Sequence, residues 1–338
     1  QSVMMAPTEV LATQHYENIK KAVEPFGVKV SLLPGSLTAK EKREVYDSLL
    51  SGVKNICVGT HAVISKATEF KNLALVITDE QHRFGVNQRA KLSQKAENPY
   101  VLVMSATPIP RTLSLIIYGD LDISVISELP KGRQKIDTFL INNSKRDGAY
   151  GFIKKALLKG NQAYIVCPLI EESETLSDLK TVKEYADEIA SKQFKGFNVD
   201  ILHGKMKPAE KDEIMQKFKN GKTHLLVSTT VIEVGIDVPN AVIMFIEDAD
   251  RFGLSQLHQL RGRVGRGKDK SYCILMTQTK SRETILRLKN FCSTTDGFEI
   301  AMQDLALRGA GDVLGNRQHG LPTLKIADMT RDASVLQD

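Results

Sequence analysis

Short apolar runs alternate with amphipathic segments along the whole chain. In the first part, apolar runs predict buried strands near residues 2–5, 28–33, 55–59, 73–78, 100–104 and 122–126. Apolar residues at helical spacing predict helices over about 9–24 and 39–51, and Thr38 with Glu41 forms a capping box at the start of the second helix. Strands that alternate with helices are typical of a parallel sheet covered by helices.

The same alternation returns in the second part of the chain. Pro208 fits the first turn of a helix there, and strands are predicted near 136–141, 163–167, 198–202, 223–228, 241–246 and 271–276. Between the parts, Pro130 and Gly132 lie in a charged segment that is typical of a linker. We therefore predict an α/β protein with a first lobe over 1–127, a linker over 128–135, a second lobe over 136–290 and a C-terminal region over 291–338.

The two parts contain an internal repeat. Residues 30–60, moved forward by 169 positions, fall on 199–229 without a gap. Identical residues stand in both copies at the positions of Val30, Leu33, Gly35, Glu41, Lys42, Glu44, Gly52, Val58 and Thr60. Any two strand–helix–strand units share some capping and apolar spacing, which is the alternative explanation. The repeat favours two lobes of one fold, with a cleft where a nucleotide can bind.

Composition is typical of a globular protein. The 338 residues are 42% hydrophobic and 25% charged, and this length predicts about two domains. No apolar run approaches the ~18 residues of a membrane span, so no membrane association is expected. The scattered cysteines favour reduced, buried thiols in a cytosolic protein without a zinc site; they are Cys57, Cys167, Cys273 and Cys292.

The positive charge is concentrated near the end of the chain. The net charge is +6, and residues 251–338 contain 14 Lys and Arg against 9 Asp and Glu, which gives +5. This distribution fits a polyanionic partner.

Two adjacent carboxylates follow a predicted buried strand. Asp79 and Glu80 come directly after the strand predicted at 73–78, where one carboxylate can hold Mg²⁺ and the next can accept a proton from an attacking water. A solvated acidic turn is the alternative. The hydroxyl-bearing segment 105–107 follows the next strand, where it could bond to a neighbouring carboxylate or form an ordinary turn before Pro108.

Two further segments of the second lobe suit phosphate chemistry. Residues 259–266 read QLRGRVGR and place three arginines within six residues, where guanidinium groups can stabilise charge on a transferring phosphoryl group. A basic surface patch is the alternative. Residues 228–239 offer hydroxyls, backbone amides at a glycine turn, and Asp237 as a partner for a ribose or an arginine.

In this order, these motifs resemble those of superfamily 2 helicases and translocases. Within that superfamily they are most similar to the RecG family of branched-DNA helicases, with segments 5–9, 59–62, 79–86, 104–111, 227–239 and 256–267 at the family's successive motifs. Residues 297–312 resemble the translocation motif that this family shares with transcription–repair coupling factor, and residues 315–322 are more similar to the RecG family. The resemblance implies two tandem RecA-like parallel-sheet lobes, the first truncated at its amino end, followed by a small helical and loop translocation segment.

The resemblance also implies roles for individual residues. Asp79 would hold Mg²⁺ beside ATP, Glu80 would be the general base, and Gly235 and Asp237 would contact the nucleotide. Arg263 and Arg266 would reach the γ-phosphate, with Gln259 positioning them. Contacts with DNA, or coupling of nucleotide state to DNA, are implied for Thr8, Thr60, His82, Ser105, Thr107, Thr229, Arg308 and Gln318. The implied protein is a monomeric bacterial enzyme of the cytoplasm and nucleoid that acts on branched or duplex DNA in recombination and repair.

One expected element is missing from the sequence. No G-x-x-x-x-G-K-[ST] loop occurs, although a helicase lobe carries it about one βαβ unit before the segment that here begins at residue 5. We therefore expect these residues to be a piece of a longer helicase, and to hydrolyse ATP poorly by themselves. Two alternatives stay open: the motor of transcription–repair coupling factor, and a non-hydrolytic DNA-binding fragment.

Overall fold

The computed structural model describes residues 1–81, 84–105, 122–126, 128, 134–168, 176–229 and 238–304. These residues form two compact units, the first within residues 1–105 and the second at later positions. Each unit has its own parallel β-sheet.

The first unit has a five-stranded parallel sheet in the order β2-β3-β1-β4-β5. Its strands are β1 (Ser2–Met5), β2 (Val30–Leu33), β3 (Ile56–Gly59), β4 (Leu75–Thr78) and β5 (Tyr100–Val103). Its helices are α1 (Glu9–Val23), α2 (Ala39–Leu50) and α3 (Val86–Ser93), with 3-10 turns at Glu24–Phe26 and His61–Ile64. The predicted capping box is confirmed, because the Thr38 amide donates to Glu41 Oε2 at 2.8 Å and the Glu41 amide donates to Thr38 Oγ1 at 3.3 Å.

The central strand β1 is buried on both faces. Val3 and Met5 pack into one hydrophobic cluster with α2, and Met4 packs into another with α1. Successive side chains of a strand point to opposite faces, so a strand that helices cover on both sides reads as a continuous apolar run. This arrangement explains the uninterrupted apolar pattern at 3–5.

The second unit has a six-stranded parallel sheet in the order β6-β11-β10-β7-β9-β8. Its strands are β6 (Asp137–Ile141), β7 (Gln162–Val166), β8 (Val199–Leu202), β9 (Leu225–Ser228), β10 (Ala241–Ile246) and β11 (Tyr272–Met276). Its helices are α4 (Arg146–Leu158), α5 (Leu176–Lys192), α6 (Pro208–Lys219), α7 (Leu254–Arg261) and α8 (Arg282–Ser293), with 3-10 turns at Asn143–Lys145 and Ala249–Arg251. Residues 297–304 are also helical. Helix α6 begins at Pro208, as predicted.

The internal repeat is confirmed by the structure. The bounds of β2, α2 and β3, each moved by 169 positions, coincide with those of β8, α6 and β9. The strand registers also agree, with Val30 opposite Ile56 in one unit and Val199 opposite Leu225 in the other. In both copies, a lysine of the helix donates to the carbonyl of the glycine after the first strand; the pairs are Lys42 with Gly35 and Lys211 with Gly204.

The strand predicted at 122–126 is wrong. These residues have no regular secondary structure, and Ile126 has 91% of its surface exposed. An apolar run becomes a strand only where a neighbouring strand accepts its backbone hydrogen bonds, and this run pairs with no described strand.

All four cysteines are free thiols. Cys57, Cys167 and Cys273 are buried and Cys292 is half-buried. In the part of the chain that the structure describes, no helix combines the length and the apolar character needed to cross a membrane.

Candidate active site

In the first unit, the predicted catalytic residues lie at the carboxyl edge of the sheet. Asp79 and Glu80 follow β4, whose neighbours are β1 and β5. The Asp79 amide donates to the Met5 carbonyl of β1 at 3.0 Å, which continues the ladder by one residue. Open parallel sheets bind their ligands at this edge, so the location suits a nucleotide site.

Asp79 has a defined carboxylate orientation. Its Oδ1 accepts a hydrogen bond from the Glu80 amide at 2.9 Å, and its Oδ2 lies 2.7 Å from His15 Nε2 of helix α1. The Asp79 side chain is 16% exposed, so the carboxylate is largely enclosed but accessible to a small ligand.

Glu80 has an unusual backbone conformation. Its φ is +47°, in the left-handed region that residues other than glycine rarely adopt. Such a conformation costs about 1–3 kcal/mol and persists only where the surroundings hold it. The next residue, Gln81, is buried, and its amide donates to the Met104 carbonyl at 3.4 Å, which ties the segment to the end of β5.

Three of the residues predicted to contact DNA or to couple it to the nucleotide follow strands of the same sheet. Thr8 follows β1 and caps helix α1, with its Oγ1 accepting from the Leu11 amide at 3.3 Å. Thr60 follows β3 and is buried, and Ser105 is exposed two residues beyond β5. Thr78 pairs with Val103 in the sheet, so Glu80 and Ser105 each stand two residues past a paired position.

In the second unit, the predicted arginine motif forms helix α7 and the turn after it. Gln259 lies in α7, and Gly262 caps the helix at its carboxyl end. Gly265 has a φ of +78°, and a Cβ at Gly267 would lie 2.2 Å from the Pro239 carbonyl oxygen. Glycine is therefore required at 265 by the backbone path and at 267 by close packing.

The three arginines of the motif have different environments. Arg266 is half-buried, and its Nε donates to the Gly262 carbonyl at 3.2 Å. Arg263 is buried, with 8% of its surface exposed. Arg261 is buried and donates through Nη1 to the carbonyls of Phe291 at 3.2 Å and Thr294 at 2.8 Å.

Arg261 was not among the predicted catalytic residues, and its contacts give it a structural role, which the spacing of the three arginines does not indicate. Its guanidinium carbon lies 4.3 Å from the centre of the Phe291 ring, and Nη2 is 3.2 Å from His258 Nδ1. Burial lowers the pKa of this guanidinium from its usual value. The arginine joins the end of α7 to the end of α8.

Of the remaining predicted residues, Thr229 lies among the residues that the structure describes and six do not. Thr229 is buried directly after β9, and its amide donates to the Leu202 carbonyl of β8 at 3.2 Å. The other six lie outside the described residues; they are His82, Thr107, Gly235, Asp237, Arg308 and Gln318.

The carboxylates of Asp79 and Glu80 fit a magnesium site in which a bound nucleotide supplies further oxygen ligands. Mg²⁺ is commonly held by one or two protein carboxylates, with water and phosphate oxygens as the other ligands. Asp79 and Glu80 supply this donor type. Among the described residues, no three His, Cys, Asp or Glu side chains are grouped so that they could hold a metal ion by themselves.

Three protein-family models match consecutive parts of the chain. The DEAD/DEAH box helicase model matches residues 1–116, and the helicase conserved C-terminal domain matches 149–268. The model of ATP-dependent DNA helicase RecG, domain 3, C-terminal, matches 294–338. The first two models define the class of protein as a helicase with two conserved domains.

Within this class, the chain belongs to the RecG helicases, to which it is similar along its whole length. It is 49% identical over 338 residues to the ATP-dependent DNA helicase RecG of Bacillus subtilis, covering 100% of this chain and 49% of the relative. It is 50% identical over 337 residues to that of Aquifex aeolicus, covering 98% of this chain and 42% of the relative. The chain spans about half the length of the curated relatives it matches.

Solved structures agree with this assignment. A structure of RecG bound to a three-way DNA junction superimposes with a TM-score of 0.80 and 43% identity, covering 100% of this chain and 43% of that chain. A variant of Saccharomyces cerevisiae Dbp5 bound to RNA and ADP BeF3 gives a TM-score of 0.62 at 17% identity, over 91% of this chain and 81% of that chain. The second likeness supports only the two-lobed helicase fold.

Proposed function

We propose that this chain is the motor part of an ATP-dependent helicase that remodels branched DNA during recombination and repair. The observation that carries the proposal is the placement of Asp79 and Glu80 at the carboxyl edge of the first sheet, in a chain that is similar to RecG helicases throughout. The solved RecG structure contains a three-way DNA junction, which supports a junction as the substrate.

The proposed chemistry divides between the two units. Asp79 would hold Mg²⁺ together with the phosphates of ATP, and the cation would offset the negative charge of the phosphates. Glu80 would accept a proton from the attacking water. Arg263 and Arg266 would stabilise charge on the γ-phosphate with the help of Gln259, and the backbone around Gly235 together with Asp237 would contact the nucleotide.

The proposed DNA contacts are sequence-independent. Hydroxyl and amide groups at Thr8, Thr60 and Thr229 would set the register of the sugar–phosphate backbone without reading bases. His82, Ser105 and Thr107 would couple the nucleotide state to DNA, while Arg308 and Gln318 would act in the translocation segment. We further propose that the complete enzyme is a monomer that acts on chromosomal DNA in the bacterial cytoplasm.

The proposal is tested by ATP hydrolysis in the complete gene product that carries this chain. We expect a three-way junction to stimulate hydrolysis. Glu80→Gln is expected to reduce kcat by a factor of about 10²–10⁴, the contribution typical of a general base, with ATP still bound. Glu17→Gln, an exposed position on α1, is the matched control and should leave the rate unchanged. The proposal would be overturned by a rate of ATP hydrolysis that does not rise when the junction is added, or by a rate that is unchanged in Glu80→Gln.

A further inference from the structure

Helix α1 contributes a side chain to the carboxylate pair of the first unit. His15 lies two turns into α1, and its Nε2 is 2.7 Å from Asp79 Oδ2, across 64 positions of sequence. The two side chains are 24% and 16% exposed, respectively, so the contact is shielded from bulk water without being sealed from it.

The chemistry of the two groups fixes the direction of this hydrogen bond. An ionised carboxylate only accepts hydrogen bonds, so Nε2 of His15 must carry the proton and donate to Oδ2. On the other side, Oδ1 accepts from the Glu80 amide at 2.9 Å. The two donors engage both oxygens and hold the plane of the carboxylate in one orientation.

We propose that His15 is a positioning residue that orients the Asp79 carboxylate for Mg²⁺ bound with nucleotide. This inference rests on the proposed function, in which Asp79 is the protein ligand for the metal. Groups that hydrogen-bond to a ligating side chain fix its orientation, and their loss typically weakens metal binding by about 10–100-fold.

The contact is poorly suited to a purely stabilising role. A partly exposed hydrogen bond between one histidine and one carboxylate contributes little to folding, because both groups are well solvated in the unfolded chain. Helix α1 is held in place by other residues, since Leu11 and Ala12 are buried in the cluster with Met4 and Val58. Removal of the imidazole should therefore change the metal site more than it changes stability.

The position of His15 also connects two parts of the proposed machinery. Helix α1 begins after Thr8, a proposed DNA contact, and His15 lies seven residues further along the helix, or about 10 Å. A single rigid helix thus joins a proposed DNA contact to the proposed metal ligand. DNA binding at the start of α1 can be transmitted to the orientation of Asp79 by this route.

The test uses three substitutions at His15 and one matched control in the complete gene product. His15→Leu removes the donor, and His15→Asn shortens its reach. His15→Gln places an amide donor near the original Nε2 position. Asn18→Leu changes an exposed position on the same helix, one turn further on, as the control. Melting temperatures identify any variant that fails to fold.

The direct readout is Mn²⁺ binding in the presence of ADP, measured by electron paramagnetic resonance. We expect His15→Leu and His15→Asn to weaken Mn²⁺ binding by about 10-fold or more, and His15→Gln to restore most of it. Asn18→Leu should match the unaltered protein. The Mg²⁺ concentration for half-maximal ATP hydrolysis should shift in the same order.

Two negative results are distinguishable. Unchanged Mn²⁺ binding in folded His15→Leu, with normal junction-stimulated hydrolysis in the unaltered protein, would overturn the role of His15 alone. Absence of ADP-dependent Mn²⁺ binding and of DNA-stimulated hydrolysis in the unaltered protein would overturn the proposed function, and the role of His15 with it.

Discussion

Arg261, Arg263 and Arg266 stand close together in sequence but differ in their surroundings. Arg261 donates to two backbone carbonyls at the end of α8, whereas Arg266 is half-buried in the turn after α7. The sequence shows that this segment is rich in arginine, but the spacing of the arginines does not indicate which side chain bonds to the end of α8. The choice of arginine depends on where α8 ends, about 30 residues further along the chain.

Arg261→Met should destabilise the second unit. The substitution removes donors to the carbonyls of Phe291 and Thr294, and a buried carbonyl left without a partner costs about 1–3 kcal/mol. We expect a loss of about 2–4 kcal/mol in the free energy of unfolding, measured by urea denaturation. Arg282→Met, at an exposed position, is the control. Equal stabilities for the two variants would contradict the structural role of Arg261.

The cysteines provide a second residue-scale prediction. Burial raises the pKa of the Cys57 and Cys273 thiols to about 12, and that of Cys292 to about 11. It also raises the pKa of Cys167. A raised folded-state pKa favours the neutral thiol. The resulting stabilisation is complete below the unfolded pKa of about 8.5 and is lost as pH rises towards the folded value.

Ellman's reagent at pH 8 measures this protection. We expect slow reaction in the folded chain, with half-buried Cys292 reacting first, and rapid reaction of all four thiols in guanidinium chloride. Rapid labelling of Cys57 or Cys273 in the folded chain would contradict the burial of these residues.

The contact between His15 and Asp79 could not be predicted from sequence. A single histidine in an amphipathic helix has no spacing signal. His15 meets Asp79 only because α1 packs on the sheet whose strand β4 ends directly before Asp79. Asp79 and Glu80 were identifiable because a pair of carboxylates directly after a buried strand is a local pattern. Local patterns are visible in a sequence, whereas contacts across 64 positions require the fold.

At the scale of elements, the glycines after α7 show how tightly the arginine turn packs. Gly267→Ala places a methyl group 2.2 Å from the Pro239 carbonyl oxygen, and the backbone must shift to accept it. We expect a loss of about 1–3 kcal/mol, the usual cost of overpacking. Gly151→Ala is the matched control, because Gly151 lies inside α4 with nothing within 4 Å of the added carbon.

The control should change stability in the opposite direction. Alanine in a helix interior is favoured over glycine by about 0.5–1 kcal/mol, so Gly151→Ala is expected to stabilise the unit. Both changes can be measured as shifts of the urea midpoint. A neutral Gly267→Ala would show that the turn accommodates a side chain.

A buried polar network joins α4, α5 and the end of β10. Arg146 donates two parallel hydrogen bonds to Glu247, with Nη1 to Oε1 at 2.7 Å and Nη2 to Oε2 at 2.9 Å. The hydroxyl of Tyr185 donates to Oε1 at 2.6 Å, and that of Tyr150 donates at 3.3 Å. Burial raises the pKa of Glu247 despite these donors.

Removal of one partner from this network should lower the free energy of unfolding. Arg146→Met leaves Glu247 enclosed without its countercharge, and we expect a loss on the order of 3 kcal/mol. In a double-mutant cycle with Glu247→Gln, the combined loss should be smaller than the sum of the two single losses. The exposed pair Lys217–Glu213, also 2.7 Å apart, is the control and should show no measurable coupling. Additive effects at Arg146 and Glu247 would contradict a shared network.

Most strand positions could be predicted within two residues, because buried parallel strands read as continuous apolar runs. The repeat was predictable to the residue, since β2-α2-β3 and β8-α6-β9 share every boundary after the 169-residue shift. The strand predicted at 122–126 is absent because an apolar run forms a strand only beside another strand, and apolar composition does not supply one. Its Val125 and Ile126 side chains are exposed.

At the scale of the whole molecule, the proposed catalytic residues are distributed over two similar parallel-sheet units. The first unit carries the carboxylates of Asp79 and Glu80, and the second carries the arginines that follow α7. Because the proposed catalytic roles fall on residues of both units, substitutions in either unit should affect hydrolysis. The excess positive charge at residues 251–338, 14 basic against 9 acidic side chains, suits a polyanionic substrate.

The most direct test of the account is unwinding of a fluorescently labelled three-way DNA junction by the complete gene product. With ATP and Mg²⁺, we predict strand separation of the junction, little separation of a linear duplex of the same sequence, and none with a non-hydrolysable ATP analogue. Glu80→Gln should bind the junction but leave it intact. Junction unwinding that persists in Glu80→Gln, or a junction that stays paired despite DNA-stimulated hydrolysis by the unaltered protein, would contradict the account.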